Sequence, residues 1–388
     1  MQELLCKSEN FEDSAKDFIN NFPYQEEPYC SRNWGHSWHS FCSYHGKLKP
    51  AIAHFLIKNF TNENDTILDP LGGVGTIALE AVLQGRNAVS NDLSELAYII
   101  SKAKIEKTSY ENIFRVVDDL SEYIVINKNN EFDNHLYDDF GLNGRIPEYF
   151  EKNTYAEILS ARKYFKNKYM QELSSAECVV FASLLHVLHG NRPYALSRNS
   201  HPLTPYAPTG DFVYKNVIEH IIDKINLTYK NNFFDEYRGI GKSVLGDYTQ
   251  LNDIYNSYFD AIITSPPFLS SLKFYSQNWM RLWLSGWEPE DYTNANMRFL
   301  EGQQKKDINI YDKFFKMAYN VLKPNGKIIL HLGKTEKYDM ADLLSSIAQK
   351  YFVEVFRGDE SVKNIEKHGI KDKGGTTHHQ YLFLLKRD

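Results

Sequence analysis

At 388 residues the chain can bury a large core without staples, in one big domain or two ordinary ones, and its net charge of −6 excludes a polycation, so any nucleic-acid surface must be local. Hydrophobic residues make up 42% and charged residues 24%, the balance of a globular protein, and four scattered cysteines (Cys6, Cys30, Cys42, Cys178) exclude a disulfide scaffold. The polar, acidic first residues are no secretory signal and no apolar run reaches spanning length, so a cytoplasmic chain without membrane contact is expected.

Residues 1–45 read as an N-terminal extension rich in Trp, His and Tyr. Its Cys30, His36, His39, Cys42 and His45 match no zinc spacing, so no metal site is expected. Residues 46–60 have helical spacing of Ile52, Phe55, Leu56 and Phe60. The strand TILDP (66–70), the loop LGGVGT (71–76) and the helix IALEAVLQG (77–85) follow, and then the strand NAVSNDL (87–93) and a helix over 94–107 capped by Ser94. Residues 111–242 interrupt this alternation with three helical stretches and a Pro-rich polar loop at 191–210. Strands return at 243–247, 259–267, 327–333, 352–358 and 379–387, with helices at 311–322 and 340–351 and a KPNG turn at 323–326. Seven strands alternating with helices predict a mostly parallel α/β sheet over 46–110 and 243–388, carrying a mainly helical insertion. The Lys-rich runs near 161–169 and 362–373 read as solvated faces.

Two clusters carry the chemistry. In Asp69-Pro70-Leu71-Gly72-Gly73-Val74-Gly75-Thr76, the glycines allow a sharp turn and close approach to a ligand at a strand end. No Gly-Lys-Ser/Thr follows and the G-x-G-x-x-G spacing is absent. An acid before the glycines repels a pyrophosphate but suits the ammonium and sulfonium charges of S-adenosyl-L-methionine. Asp92 ends the second strand, where an acid meets ribose hydroxyls, and Asp247 ends the third, within reach of an adenine amino group. In the second cluster a strand runs into Ser265-Pro266-Pro267-Phe268. Its prolines stiffen the loop, Ser265 and the Pro266 carbonyl offer acceptors for both hydrogens of an exocyclic amine, and Phe268 offers a stacking face. No Pro-Cys dipeptide supplies the covalent nucleophile that carbon-5 methylation needs.

The pair of motifs, D-P-[FL]-x-G-x-G-T and [DNS]-P-P-[YF], resembles that of the DNA amino-methyltransferases, over residues 45–107 and 243–388. The resemblance implies a Rossmann-like methyltransferase sheet whose last strand, 379–387, is antiparallel, S-adenosyl-L-methionine as cofactor, and double-stranded DNA as partner in a prokaryotic, nucleoid-associated setting. It gives the cofactor Asp69 to Gly73, Gly75, Thr76, Asp92 with Leu93, and Asp247 with Tyr248, and places Lys47 and Pro50 in a helix touching the methionine end. Ser before Pro-Pro is commoner in cytosine-N4 enzymes, Asp or Asn in adenine-N6 enzymes. Adenine N6, an RNA base, and an idle cofactor-binding subunit remain alternatives. The insertion lies before the strand-three acid, which departs from the family's arrangement. A base in duplex DNA must be flipped to reach Phe268. Candidates for target contacts are Arg192, Tyr194, Ser197, Arg198, Asn199 and His201 in the loop, and Lys273, Tyr275, Asn278 and Arg281 along one face of a helix after the catalytic loop. The insertion could instead serve a protein partner.

Overall fold

The computed structural model describes residues 2–31, 34–129, 137–229, 233–269, 273–362 and 375–387. The strands are β1 (Thr66–Asp69), β2 (Asn87–Asp92), β3 (Gly241–Leu245), β4 (Phe259–Thr264), β5 (Leu322–Lys334), β6 (Phe352–Ser361) and β7 (His378–Lys386). They form one sheet in the order β3-β2-β1-β4-β5-β7-β6. Pairing is parallel from β3 through β5, and β7 is antiparallel to both neighbours. This is the Rossmann-like sheet expected, with its last strand reversed. KPNG does not bound β5. It is a bulge inside it, between the Phe259–Leu322 and Ala261–Lys327 pairings, with Asn325 at φ 60°, a conformation Asn tolerates.

Helices cover both faces. The first group is α1 (Gln2–Asn21), α2 (Pro50–Phe60), α3 (Thr76–Leu83), α4 (Glu95–Ile105), α5 (Tyr110–Asn127), α6 (Lys152–Lys166), α7 (Ser175–Val187) and α8 (Val217–Thr228). Then come α9 (Phe274–Gln277), α10 (Trp279–Leu284), α11 (Pro289–Arg298), α12 (Leu300–Lys306), α13 (Tyr311–Val321) and α14 (Met340–Ala348). Side chains alternate across a strand, so one chain feeds two cores. Ile67, Ala88, Ala261, Ile263 and Ile329 face a core with α1 to α8 and α10. Leu68, Val89, Ile262, Ile328 and Leu330 face another with α13 and α14. The inserted helices therefore share the core of one sheet face, with α7 packed on α4. Arg162, inside the first Lys-rich run, is buried on the Trp283 and Trp287 carbonyls, so that run is not wholly a solvated face. The second run lies almost entirely outside the described residues. The N-terminal extension is a structural layer. Phe11 and Phe18 of α1 pack edge-on against Phe383 and Tyr381 of β7. Among the described residues no helix is long and apolar enough to cross a membrane.

Candidate active site

Parallel strands align their carboxyl ends at one sheet edge, so β1, β2, β3 and β4 deliver Asp69, Asp92, Asp247 and Ser265 to the same side. Asp69 is 3% exposed. Its Oδ1 accepts the Thr264 hydroxyl at 2.7 Å, which ties the glycine loop to the residue before Ser265. Burial pushes its carboxyl up to about 7, against the pull of Thr264 and the Leu71 N–H. Asp92 accepts the N–H of Gly73 at 2.9 Å and of Ser94 at 2.8 Å, and burial pushes it up to about 6. The acid is thus oriented by the loop beside it.

The glycine spacing has steric causes. A Cβ on Gly72 would fall 2.1 Å from Ser90 Oγ, and one on Gly75 2.5 Å from Ser101 Oγ, with Gly75 at φ +69° as it opens α3 into Thr76. Asn91 Nδ2 donates to the Pro70 and Gly246 carbonyls at 3.1 and 3.2 Å and stitches the ends of β1, β2 and β3 together. Leu71 and Leu93 pack partly buried at the edges of the two cores. Asp247 accepts the N–H and hydroxyl of Thr249 at 2.8 and 2.6 Å. Its neighbour Tyr248 is buried against Phe314, 5.9 Å between rings, and Asp247 and Tyr248 line a cleft of about 300 Å³.

Three residues absent from the sequence reading belong here. Lys104 of α4 is fully buried and donates to the Val74 carbonyl at 2.8 Å, and desolvation drives its pKa well below the ordinary lysine value. Tyr44 of the extension lies near Asp92 and Glu301. Burial, then these carboxylates, raises its phenol pKa well above normal. His331 of β5 is buried, with Nδ1 2.9 Å from Ser265 Oγ. Lys47, next to Tyr44 in the chain, gives a hydrogen bond to the His39 carbonyl at 2.6 Å.

The Ser265-Pro266-Pro267-Phe268 loop is held at three points. Ser265 meets His331. The Pro267 carbonyl accepts from Gln304 at 2.9 Å, and Gln304 accepts the Tyr311 hydroxyl at 2.8 Å. The Phe268 ring lies flush on Gly333, where a Cβ would come within 2.4 Å of it.

The sequence candidates for target contacts divide. Arg192, Ser197, Arg198 and Asn199 line a cleft of about 310 Å³ with Lys215 and Asp211. Arg192 pairs with the Tyr194 hydroxyl at 2.6 Å, and Tyr194 stacks on His186. Ser197, however, is buried and donates to the Arg198 carbonyl, while Arg198 donates to the Gly210 and Glu148 carbonyls beneath its contact with Phe212. Asn199 pairs by backbone with Thr209, and His201 caps the turn at Leu203 and Thr204. The second group does not line one helical face, because the helix breaks at Asn278 into α9 and α10. Lys273 sits over the Tyr275 ring, and Tyr275 is buried. Asn278 is buried between the Phe274 carbonyl and the His45 N–H. Arg281 is fully buried, with its guanidinium on the Leu185, Pro202 and Leu203 carbonyls, so it holds the 191–210 loop and does not face solvent. Among the described residues no His, Cys, Asp and Glu cluster could hold a metal ion. His39 is instead buried against Glu80 at 2.7 Å.

Residues 7–138, about a third of the chain, match the family model for DNA methylases. The Type II methyltransferase M.MjaII of Methanocaldococcus jannaschii is 27% identical over 139 residues, a stretch that covers 36% of this chain and 24% of that protein. Among solved structures, a SAM-dependent methyltransferase from Methanosarcina mazei has a TM-score of 0.33 at 10% identity, over 85% of this chain and 96% of that one. The PH0226 protein of Pyrococcus horikoshii has a TM-score of 0.32 at 11% identity, over 96% and 99%. At these scores neither adds to the fold already read from strand order.

Proposed function

We propose that this chain, whose residues 7–138 match the DNA methylase family model, transfers a methyl group from S-adenosyl-L-methionine to the exocyclic amino group of a base in DNA, cytosine N4 in the first place. One observation carries the reading. Two carboxylates, buried Asp69 and half-buried Asp92, stand at the same sheet edge as Ser265-Pro266-Pro267-Phe268, Asp69 joined to it through Thr264 and Asp92 to the glycine loop through Gly73.

Burial has raised both carboxylates against the hydrogen bonds they accept, so each would gain from a cationic partner. A ligand bearing ammonium and sulfonium charges supplies that partner, and the glycine turn leaves open space at Gly73 for close approach. When bound, the cofactor supplies an electrophilic methyl group. Asp69 and the turn from Pro70 to Thr76 would hold its cationic methionine end with Lys47. Asp92 with Leu93 would take the ribose hydroxyls, and Asp247 with Tyr248 the adenine. An aromatic amine is a weak nucleophile because its lone pair is spread into the ring. Ser265 Oγ and the Pro266 carbonyl accept its two hydrogens, which favours a pyramidal nitrogen and stabilises the charge growing on it. Phe268, fixed on Gly333, holds the flipped base by stacking. The cleft at Arg192, Arg198 and Asn199 is assigned to target contact.

The test is transfer of labelled methyl from S-adenosyl-L-methionine to genomic DNA and total RNA in parallel, with nucleoside mass spectrometry. N4-methylcytosine in DNA is expected. N6-methyladenine in DNA would change the base, label in RNA alone would change the substrate, and label in neither would overturn the activity.

A further inference from the structure

His331 is a titratable residue in an apolar strand. It stands in β5 among Leu330 and Leu332, is 3% exposed, and points a titratable ring into the interior. The structure gives the ring a specific place. Its Nδ1 lies 2.9 Å from Ser265 Oγ. Its ring is 5.5 Å from Phe268, so it backs both the hydroxyl and the stacking face of the loop.

The chemistry proposed above leaves a proton without a destination. When the N–CH₃ bond forms and the S–CH₃ bond breaks, the sulfonium becomes a neutral thioether. The amino nitrogen then carries one hydrogen too many and a positive charge. The Pro266 carbonyl cannot take a proton at neutral pH, and Ser265 can take one only by releasing its own. We propose, on the footing of that activity, that His331 is the acceptor. The amino proton passes to Ser265 Oγ as the Ser265 hydroxyl proton passes to His331 Nδ1. The resulting imidazolium then returns its proton to water. His331 acts through Ser265 and touches no substrate, so it is a positioning and proton-accepting residue.

The surroundings suit a ring that is neutral before the step. Ser265 faces it from β4, and His379 and Tyr381 face it from β7, at ring distances of 4.6 and 5.3 Å. Behind His379 stands Tyr24, 3.3 Å from its Nδ1. Gln25 bridges onward to Glu360 of β6, and Lys49 lies 5.1 Å from the Tyr24 ring. Burial raises the Tyr24 and Tyr381 phenols, so both remain uncharged at neutral pH. Glu360 and Lys49, of opposite charge, lie in the shell beyond them.

Two measurements test this. The first needs no turnover: ¹⁵N NMR of the ligand-free protein labelled at histidine. His331 should be the Nε2–H tautomer with Nδ1 accepting a hydrogen bond, and Ser265→Ala should shift its Nδ1 resonance. A proton resident on Nδ1 in the wild type would overturn the proposal. The second is single-turnover methylation by wild type, His331→Asn and His331→Ala. Asn keeps a polar atom where Nδ1 stood but cannot carry a proton. Both variants should lose about a hundredfold or more in rate, the usual share of a general base, with cofactor Kd unchanged. The acid limb of the wild-type pH–rate profile should vanish in His331→Asn. Near-wild-type rate in His331→Asn, or an acid limb kept there, would reduce His331 to a spacer. Should the wild type itself methylate no amino group, the activity fails, while the NMR result still decides the Ser265–His331 pairing.

Discussion

Replacing Asp69 by Asn should strengthen the fold while weakening cofactor binding. In the ligand-free protein the carboxyl sits at 3% exposure with its pKa raised from 3.8 to about 7. Each pH unit of that rise is worth about 1.4 kcal/mol, so holding the ionised form costs about 4 kcal/mol once the pH is well above 7. Asn carries no such cost. It can also keep both neighbours, because Thr264 can turn its hydroxyl to accept from Nδ2 while Oδ1 takes the Leu71 N–H. The sign follows from proton counting. Between about pH 4 and 7 the native state holds a proton that the unfolded chain has released, so wild-type stability falls as pH rises through that window and levels off above it. The gap between Asp69→Asn and wild type should therefore be near zero at pH 4 and reach about 4 kcal/mol by pH 8. Guanidinium unfolding of both proteins without ligand, at pH 5 and 8, measures it. Calorimetry adds the functional half. Wild-type binding of S-adenosyl-L-methionine should release a proton near pH 7 and weaken as pH falls, and the variant should bind at least about tenfold more weakly, the loss expected when a buried charge contact is removed. An Asp69→Asn protein no more stable than wild type at pH 8 would show that the carboxylate is not buried uncompensated, and the argument for a cationic ligand would go with it.

Three further outcomes follow from the site. Ser265→Ala should retain cofactor affinity by calorimetry and lose about 10²–10³-fold in turnover, as for other preorganised polar contacts to a reacting group; turnover within threefold of wild type would refute the assignment. Gly333→Ala places a methyl within 2.4 Å of the Phe268 ring, so it should raise the KM for DNA and lower turnover while cofactor affinity stays put; unchanged steady-state kinetics would show that Phe268 does not hold the base. Lys104→Met keeps the buried stem and removes the donor to Val74, and should weaken cofactor binding by about 1 kcal/mol, the worth of a hydrogen bond, roughly fivefold in Kd; equal titration curves would leave Lys104 no part in shaping the loop.

What the sequence showed was what depends on neighbours in the chain. The strand, glycine loop and helix from 66 to 85 are one local pattern, and so are the acids that end β2 and β3. Strand parity then fixes which residues share an edge. What it hid depends on partners far along the chain. Lys104 in α4 looks like any helix lysine, and only the loop thirty residues earlier makes it a buried donor. His331 sits in an ordinary apolar strand until Ser265 is brought beside it. Arg281 read as a target contact because nothing nearby in sequence announces the three carbonyls that bury it. One miss had a readable signal. Phe11, Ala15 and Phe18 recur at helical spacing, and that stripe is the face α1 lays on the sheet.

The insertion enters the sheet at its edge. β3 is an edge strand, bonded on one side to β2 alone. The chain leaves the sheet after α4 and returns to that edge through the inserted helices. The inserted helices extend the layer that α4 begins. Their Pro-rich loop then packs on α9 and α10. Thr204 donates to Gln277 of α9 at 2.5 Å, and Arg281 of α10 holds the Pro202 and Leu203 carbonyls. Those two helices follow directly on the catalytic loop. The inserted loop is thus seated on the two helices that follow Ser265-Pro266-Pro267-Phe268 in the chain. A chain that reads its target through 191–210 needs that loop seated on α9 and α10, so Arg281→Met, which frees three carbonyls, should loosen target selection before it touches cofactor binding.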